Sequence, residues 1–191
     1  MSFKEKFDKE GYLLVRDFLS EKEVVSIRKK ADTFFNNDPT RRMMIASEVI
    51  KYFPEIEKIQ TSPTISKILD ELFEKDDWAY INDFQLQKNL VNIGHGGWHA
   101  DCNSQYADKS TKNKLDRENY KFCKIGIYLQ DGKCPYGGSI EILRSSHKLP
   151  KFLYSFFSFI FNNRILSIFT SDIFRKKIDK NLNAGDLIIF D

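Results

Sequence analysis

His99 and Asp101 are separated by one residue within the stretch Gly96-Gly97-Trp98-His99-Ala100-Asp101. In extended chain, side chains alternate faces with a period of two, so this imidazole and carboxylate point the same way. So placed, they can chelate one divalent metal ion from one side. They supply two of the donors of the 2-His-1-carboxylate facial triad, which holds non-haem Fe(II) and leaves positions open. Taken alone, H-x-D is a weak signal, and the pair more often marks a histidine hydrogen-bonded to a neighbouring carboxylate in a loop. His95 has the strand parity of His99, but four residues of extended chain span roughly 13 Å. Both rings could reach one ion only if Gly96-Gly97 bends sharply. Cys102, Cys123 and Cys134 show no C-x-x-C spacing. They point to a reducing compartment rather than to a disulfide scaffold or a zinc site.

The elements that must position these residues can be read on either side. Gly11 to Phe18 (GYLLVRDF) reads as a short buried strand. Ser20-Glu21-Lys22-Glu23 supplies a capping box, and Val24, Ile27, Ala31 and Phe34 recur at helical spacing behind it. Asn36-Asn37-Asp38-Pro39 ends that helix. Arg41 and Arg42 read either as a substrate-facing pair or as a solvated surface pair. Ser62-Pro63 opens a second helix with the stripe Ile65, Ile68, Leu69, Leu72 and Phe73. From Trp78 to Leu90 the period becomes two: Trp78, Tyr80, Phe84 and Leu86 share one face, and Asp83, Gln85 and Gln87 the other. The polar face of such a strand either meets water or lines a polar pocket.

Residues 102 to 120 read as a polar loop over the site. Phe122 to Gln130 alternates again, with Cys123, Ile125, Ile127 and Leu129 on one face. Pro135-Tyr136-Gly137-Gly138 is a turn and Ser139 to Leu143 a returning strand. Gly185 to Asp191 (GDLIIFD) is a turn followed by a short buried strand. Two helices followed by strands and turns predict an α+β or mainly-β barrel rather than alternating βαβ units. The 191 residues fit a single domain.

The composition narrows the function classes. Hydrophobic residues at 41% and charged ones at 30% describe a globular protein. The net charge of +3 is spread rather than blocked, so nucleic acid is not expected as a partner. The N-terminus lacks the apolar core of a signal peptide, and the cytoplasm is the expected location. Phe152 to Phe161 (FLYSFFSFIF) is too short to span a bilayer. With Lys148, Lys151, Arg164, Arg175, Lys176 and Lys177 around it, it reads as a lid helix over the barrel mouth or as an interfacial patch at a membrane surface. The lid is the preferred reading, with Phe152 to Phe169 helical and partly exposed.

In their order along the chain, GYLLVRDFLSEKEV at 11–24, GGWHAD at 96–101, KIGIYLQD at 124–131, PYGGSIEILRSSHK at 135–148 and NAGDLIIFD at 183–191 resemble the phytanoyl-CoA dioxygenase family of Fe(II)- and 2-oxoglutarate-dependent oxygenases. The resemblance implies a double-stranded β-helix, a cupin-like jelly-roll barrel with flanking helices. It implies Fe(II) held by His99 and Asp101, 2-oxoglutarate and oxygen as cosubstrates, and hydroxylation of a small organic substrate. The strand before H-x-D often touches cosubstrate or substrate in such enzymes. That marks Gln87 and Lys88 as cofactor-binding candidates, with Lys88 facing a 2-oxoglutarate carboxylate, and Gln85 as a substrate-binding one. Lys88 also fits a solvent-facing lysine at a strand end. His147 matches a position that is usually structural in the family.

In the family the distal iron histidine and the cosubstrate arginine lie beyond the segment matching GDLIIFD. The sequence therefore reads as one domain, 1–191, lacking its last strands, with two of three iron ligands and doubtful activity. Leu187, Ile188, Ile189 and Phe190 are then expected at an open edge, short of full burial. The alternative function is a non-catalytic jelly-roll binding module, or the remnant of a decayed enzyme.

Overall fold

A computed structural model describes residues 1–75, 77–80, 85–88, 122–132, 140–149, 159–160, 175–177 and 182–190. The chain opens with a helix, α1 (Phe3–Glu10), started by a capping box in which Ser2 Oγ accepts from Glu5 N and the Glu5 carboxylate accepts from Ser2 N. Gly11 ends it in the left-handed conformation at φ 82°. Strand β1 (Tyr12–Val15) follows, and then α2 (Glu21–Asn37), capped by Ser20 and Glu23 as the sequence predicts. Its buried stripe is Val24, Ile27, Ala31 and Phe35. Phe34 was expected on that stripe, but the step from Ala31 is four residues and seats Phe35, leaving Phe34 half-buried beside it. Next come β2 (Met43–Met44), α3 (Ala46–Tyr52), α4 (Ile56–Gln60) and α5 (Pro63–Leu72). Helix α5 has Ser62 as its cap, and Ile65, Ile68, Leu69 and Leu72 buried. The remaining described strands are β3 (Leu86–Gln87), β4 (Lys124–Ile127), β5 (Glu141–Leu143), β6 (Arg175–Lys177) and β7 (Leu187–Phe190).

The strands pair antiparallel throughout. One three-stranded sheet has the order β1-β7-β4, and the pairs β2-β3 and β5-β6 form two-stranded ribbons. The described strands do not close a barrel among themselves. In the larger sheet Leu13 faces Ile189, which faces Ile125 on its other side, and Val15, Leu187 and Ile127 line up in the same way. This face packs on the apolar stripe of α5. The opposite face, with Tyr12, Leu14, Tyr128, Ile188 and Phe190, packs on Ile140, Ile142 and Leu182. A third cluster joins α2 to Met44, Val49, Phe53, Leu86 and Leu129. The two sides of the alternation predicted for 122–130 thus pack, half-buried, against different layers.

The open edge expected at the end of the chain is overturned. β7 is the middle strand of its sheet, and Leu187, Ile188 and Ile189 are each 0% exposed, while Phe190 alone of the four is half-buried. β1 supplies the neighbour that the edge reading left out. At the turn before β7, Gly185 has φ 95°, and a side chain there would collide with the Leu19 carbonyl. That contact comes with hydrogen bonds from Leu19 N to Gly185 O at 2.9 Å and from Gly185 N to Tyr128 O at 2.8 Å. Asp186, 0% exposed, accepts from Asp17 N at 3.0 Å, Asn183 N at 2.8 Å and Arg16 Nη1 at 2.6 Å.

Several expectations lie outside the described residues: the polar loop 102–120, the turn 135–138, and the phenylalanine-rich stretch 152–169 apart from Phe159 and Ile160. Those two residues are helical, and Phe159 is 64% exposed. No helix among the described residues is long and apolar enough to cross a membrane.

Candidate functional site

The candidate residues that can be located lie on the β2-β3 ribbon. Met43 pairs with Gln87 and Met44 with Leu86, so side chains alternate between a core face and an outer face. Met44 is fully buried and Leu86 packs against the same cluster. Gln85 and Gln87 are exposed on the outer face with Met43. Of the two readings left open for this polar strand face, both glutamines here meet solvent. Lys88 has the parity of Leu86. It is half-buried, and its ammonium lies 5.7 Å from the centre of the Phe35 ring, within reach of a cation–π attraction.

The segment facing Lys88 carries the two arginines, and they are not equivalent. Arg41 Nη2 pairs with Glu48 Oε2 at 2.6 Å, and its guanidinium lies 5.0 Å from the Phe34 ring centre. The Ile45 backbone N–H and then the Arg41 guanidinium hold the Glu48 carboxyl below the usual carboxylate range. Arg42 instead donates from Nη1 to the carbonyls of Pro39 at 2.6 Å and Arg41 at 3.1 Å. The Thr40 hydroxyl, foremost, lowers the pKa of the neighbouring Asp38, whose Oδ1 accepts from Thr40 Oγ1 at 2.6 Å.

His147 has a different task. The last four carbonyls of a helix lack intrahelical partners, and in α1 each finds one. Gly11 N donates to Phe7 O at 2.7 Å, Ser145 Oγ to Lys9 O at 2.7 Å and Ser145 N to Glu10 O at 2.9 Å. His147 Nε2 lies 3.0 Å from Asp8 O. A carbonyl only accepts, so Nε2 carries the proton, and Nδ1 is left buried against Gly11 without a hydrogen-bond partner. Arg144 pairs with Glu10 alongside, and cations at this end suit the helix dipole. Burial and then the Glu10 charge push the adjacent Tyr12 phenol up. The segment 144–147 is therefore a tertiary cap for α1, in keeping with the structural role expected for His147. Sequence reasoning missed α1, although Ser2 and Glu5 stand at capping-box spacing.

His99, Asp101, Trp98 and His95 lie outside the described residues. Among those described, no group of three or more His, Cys, Asp and Glu side chains gathers to hold a metal ion. No family model matches the chain, and neither a curated protein nor a solved structure matches it.

Proposed function

We propose that this chain is a cytoplasmic Fe(II)- and 2-oxoglutarate-dependent oxygenase domain of the phytanoyl-CoA dioxygenase kind, on a double-stranded β-helix, acting on a small organic substrate. One observation carries the reading: four of the five stretches that bear the resemblance meet around one sheet. β1, β4 and β7 come from the stretches at 11–24, 124–131 and 183–191, and the 135–148 stretch docks on Gly11 through His147. Ala184 N donates to Asp131 Oδ1 at 2.8 Å and Tyr128 N to Asp186 O at 3.0 Å, tying two of the stretches together again outside the sheet. Short matches arising by chance have no reason to converge in this way.

The donor set fits the metal by its chemistry, since imidazole nitrogen and carboxylate oxygen are donors that Fe(II) takes. His99 and Asp101 would hold the iron. Bound there, iron would let dioxygen and 2-oxoglutarate together oxidise a substrate C–H bond to C–OH, one oxygen atom going to the substrate and the other to succinate, with carbon dioxide released. The chain's own part is to present a neutral His99 nitrogen and an ionised Asp101, so the affinity falls as either becomes protonated. The test is Fe(II) titration under anaerobic conditions, followed by succinate measurement in air with 2-oxoglutarate. Loss of a ligand should weaken iron binding by at least the tenfold seen for outer-shell losses, about 10–100-fold. Equal Fe(II) affinity in the wild type and in His99→Ala/Asp101→Ala would refute the assignment.

A second reading has its own observation. The chain has three histidines, and the ring of His147 is engaged by α1, which leaves His95 and His99. A jelly-roll binding module without oxidative chemistry would need neither of them as an iron ligand. Binding of a small-molecule ligand with no succinate formed at saturating Fe(II) would decide for it.

A further inference from the structure

We infer that Asp131-Gly132 is a site of spontaneous isoaspartate formation, held in check by the segment 182–184 that leads into β7. Glycine after aspartate leaves the Gly132 nitrogen open to the Asp131 side chain, because no Cβ shields it. Asp131 is exposed, so water reaches its carboxyl group. In the reaction the Gly132 nitrogen attacks Cγ of the protonated Asp131 carboxyl. One C–N bond forms, one C–O bond breaks, and the amide hydrogen leaves with the hydroxyl group as water. The product is a five-membered succinimide. Water then opens it at either carbonyl, which restores aspartate or routes the main chain through Cβ and Cγ as isoaspartate. The net change is an isomerisation and needs water alone.

Two hydrogen bonds oppose the attack, and both partners lie in one short segment. Gly132 N donates to Leu182 O at 2.8 Å, and Asp131 Oδ1 accepts from Ala184 N at 2.8 Å. The nucleophile and the group it must reach are each turned towards 182–184 and not towards each other. That segment is itself fastened. Leu182 is buried with Tyr12 and Ile188, Asn183 N donates to Asp186 Oδ2 at 2.8 Å, and Gly185 N donates to Tyr128 O at 2.8 Å. Isomerisation therefore waits on local opening at the exit of β4, where residues 128–132 meet 182–186. Isoaspartate adds a carbon to the main chain and moves the carboxylate, which then no longer meets Ala184 N. Residues 131–132 thereby keep a chemical record of time spent open.

The experiment incubates the full chain at neutral pH, folded and in denaturing guanidinium chloride, and measures isoaspartate at position 131 by peptide mapping. Isoaspartate should form in the denatured chain, and at least about tenfold more slowly in the folded one, since opening breaks two hydrogen bonds, one of them to a carboxylate. Hydrogen exchange at the Gly132 amide needs the same opening, so its protection should match the slowing. Ala184→Pro removes one donor directly, and Asp186→Ala loosens the segment by releasing Asn183 N. Each should speed the reaction in the folded chain and leave the denatured rate unchanged, and the second variant serves should the first not fold. Asp131→Glu, whose imide ring would have six members, should give no isomer at this position. No isoaspartate at 131 in the denatured chain would remove the site. Equal rates in folded and denatured chains, or a variant that opens Gly132 to exchange without faster isomerisation, would remove the clamp.

Discussion

Replacing Asp186 separates two accounts of what holds β7 to the turn after β1. One account credits the ion pair with Arg16; the other credits the backbone N–H groups that the buried carboxylate satisfies. The Arg16 side chain is 43% exposed, and an ion pair with a partner that open contributes about 0–1 kcal/mol. The backbone donors are another matter. Asp186→Ala orphans Asp17 N and Asn183 N, and at about 1–3 kcal/mol for each unsatisfied donor the loss is about 2–6 kcal/mol. Asp186→Asn can keep its amide oxygen where Oδ2 accepts from Arg16 and Asn183 N, but it then turns an NH2 towards Asp17 N. One orphaned donor plus the weakening of a charge-assisted bond to a neutral one comes to about 2–4 kcal/mol. Arg16→Gln should cost no more than about 1 kcal/mol. Urea unfolding at pH 7 resolves these differences, and in a chain of this size each kcal/mol moves the melting point by about 2–4 °C. Arg16→Gln as damaging as Asp186→Ala would refute the reasoning and restore the ion pair as the principal contact.

Gly11→Ala should destabilise by about 2–4 kcal/mol, combining left-handed backbone at φ 82° with a Cβ 2.6 Å from His147 Nδ1. The Gly11→Ala/His147→Ala double variant should lose less than the sum of the singles, because the ring that is struck is gone; strict additivity in denaturant melts would deny the contact. Burial pushes the Tyr128 phenol up to about 12, against about 10 in the unfolded chain. The folded pKa is the higher, so this contribution is fully present below pH 10 and is lost as pH rises towards 12, by about 3 kcal/mol. Tyr128→Phe should flatten that part of the stability–pH curve; an identical alkaline decline in both proteins would count against a buried phenol.

What was legible in the sequence is what local spacing decides. Ser20 with Glu23, and Ser62 with Pro63, start helices by hydrogen bonds that reach three residues, so their caps can be read directly. The alternation through Cys123, Ile125, Ile127 and Leu129 is just as local, and each of those side chains joins a core cluster. Phe34 and Phe35 could not be separated in this way, because adjacent aromatics both fit a stripe of mixed three- and four-residue steps. The candidate site was legible in residue types but not in pairing. Lys88 stood out as a lone cation at a strand end, and Arg42 as half of a surface pair. Only the β2-β3 register sets one against the other, and register between distant segments leaves no trace in either one. The cap on α1 was hidden for the same reason, since its donors are Ser145 and His147, far along the chain.

The misplaced edge shows how far this limit reaches. The buried strand at 187–190 was readable from four successive apolar residues, whereas its neighbours were not. A strand counted from one side only looks like an edge, and the partner left out was β1, with Leu13 opposite Ile189. The pairing does not stop at the strands. Leu19 N, at the entrance to α2, bonds Gly185 O, and Asp17 and Arg16 bond Asp186, so the turn after β1 is completed by the turn before β7. The stretches 11–24 and 183–191 are in this sense two halves of one structural unit. Gly185 must be glycine because of Leu19, and Asp186 must be a carboxylate because of the backbone at Asp17. Non-local pairing of this kind defers the sheet until its most distant parts meet, and such topologies fold slowly. It also explains why both stretches read as motifs: each is shaped by the other, and neither gives up its reason alone.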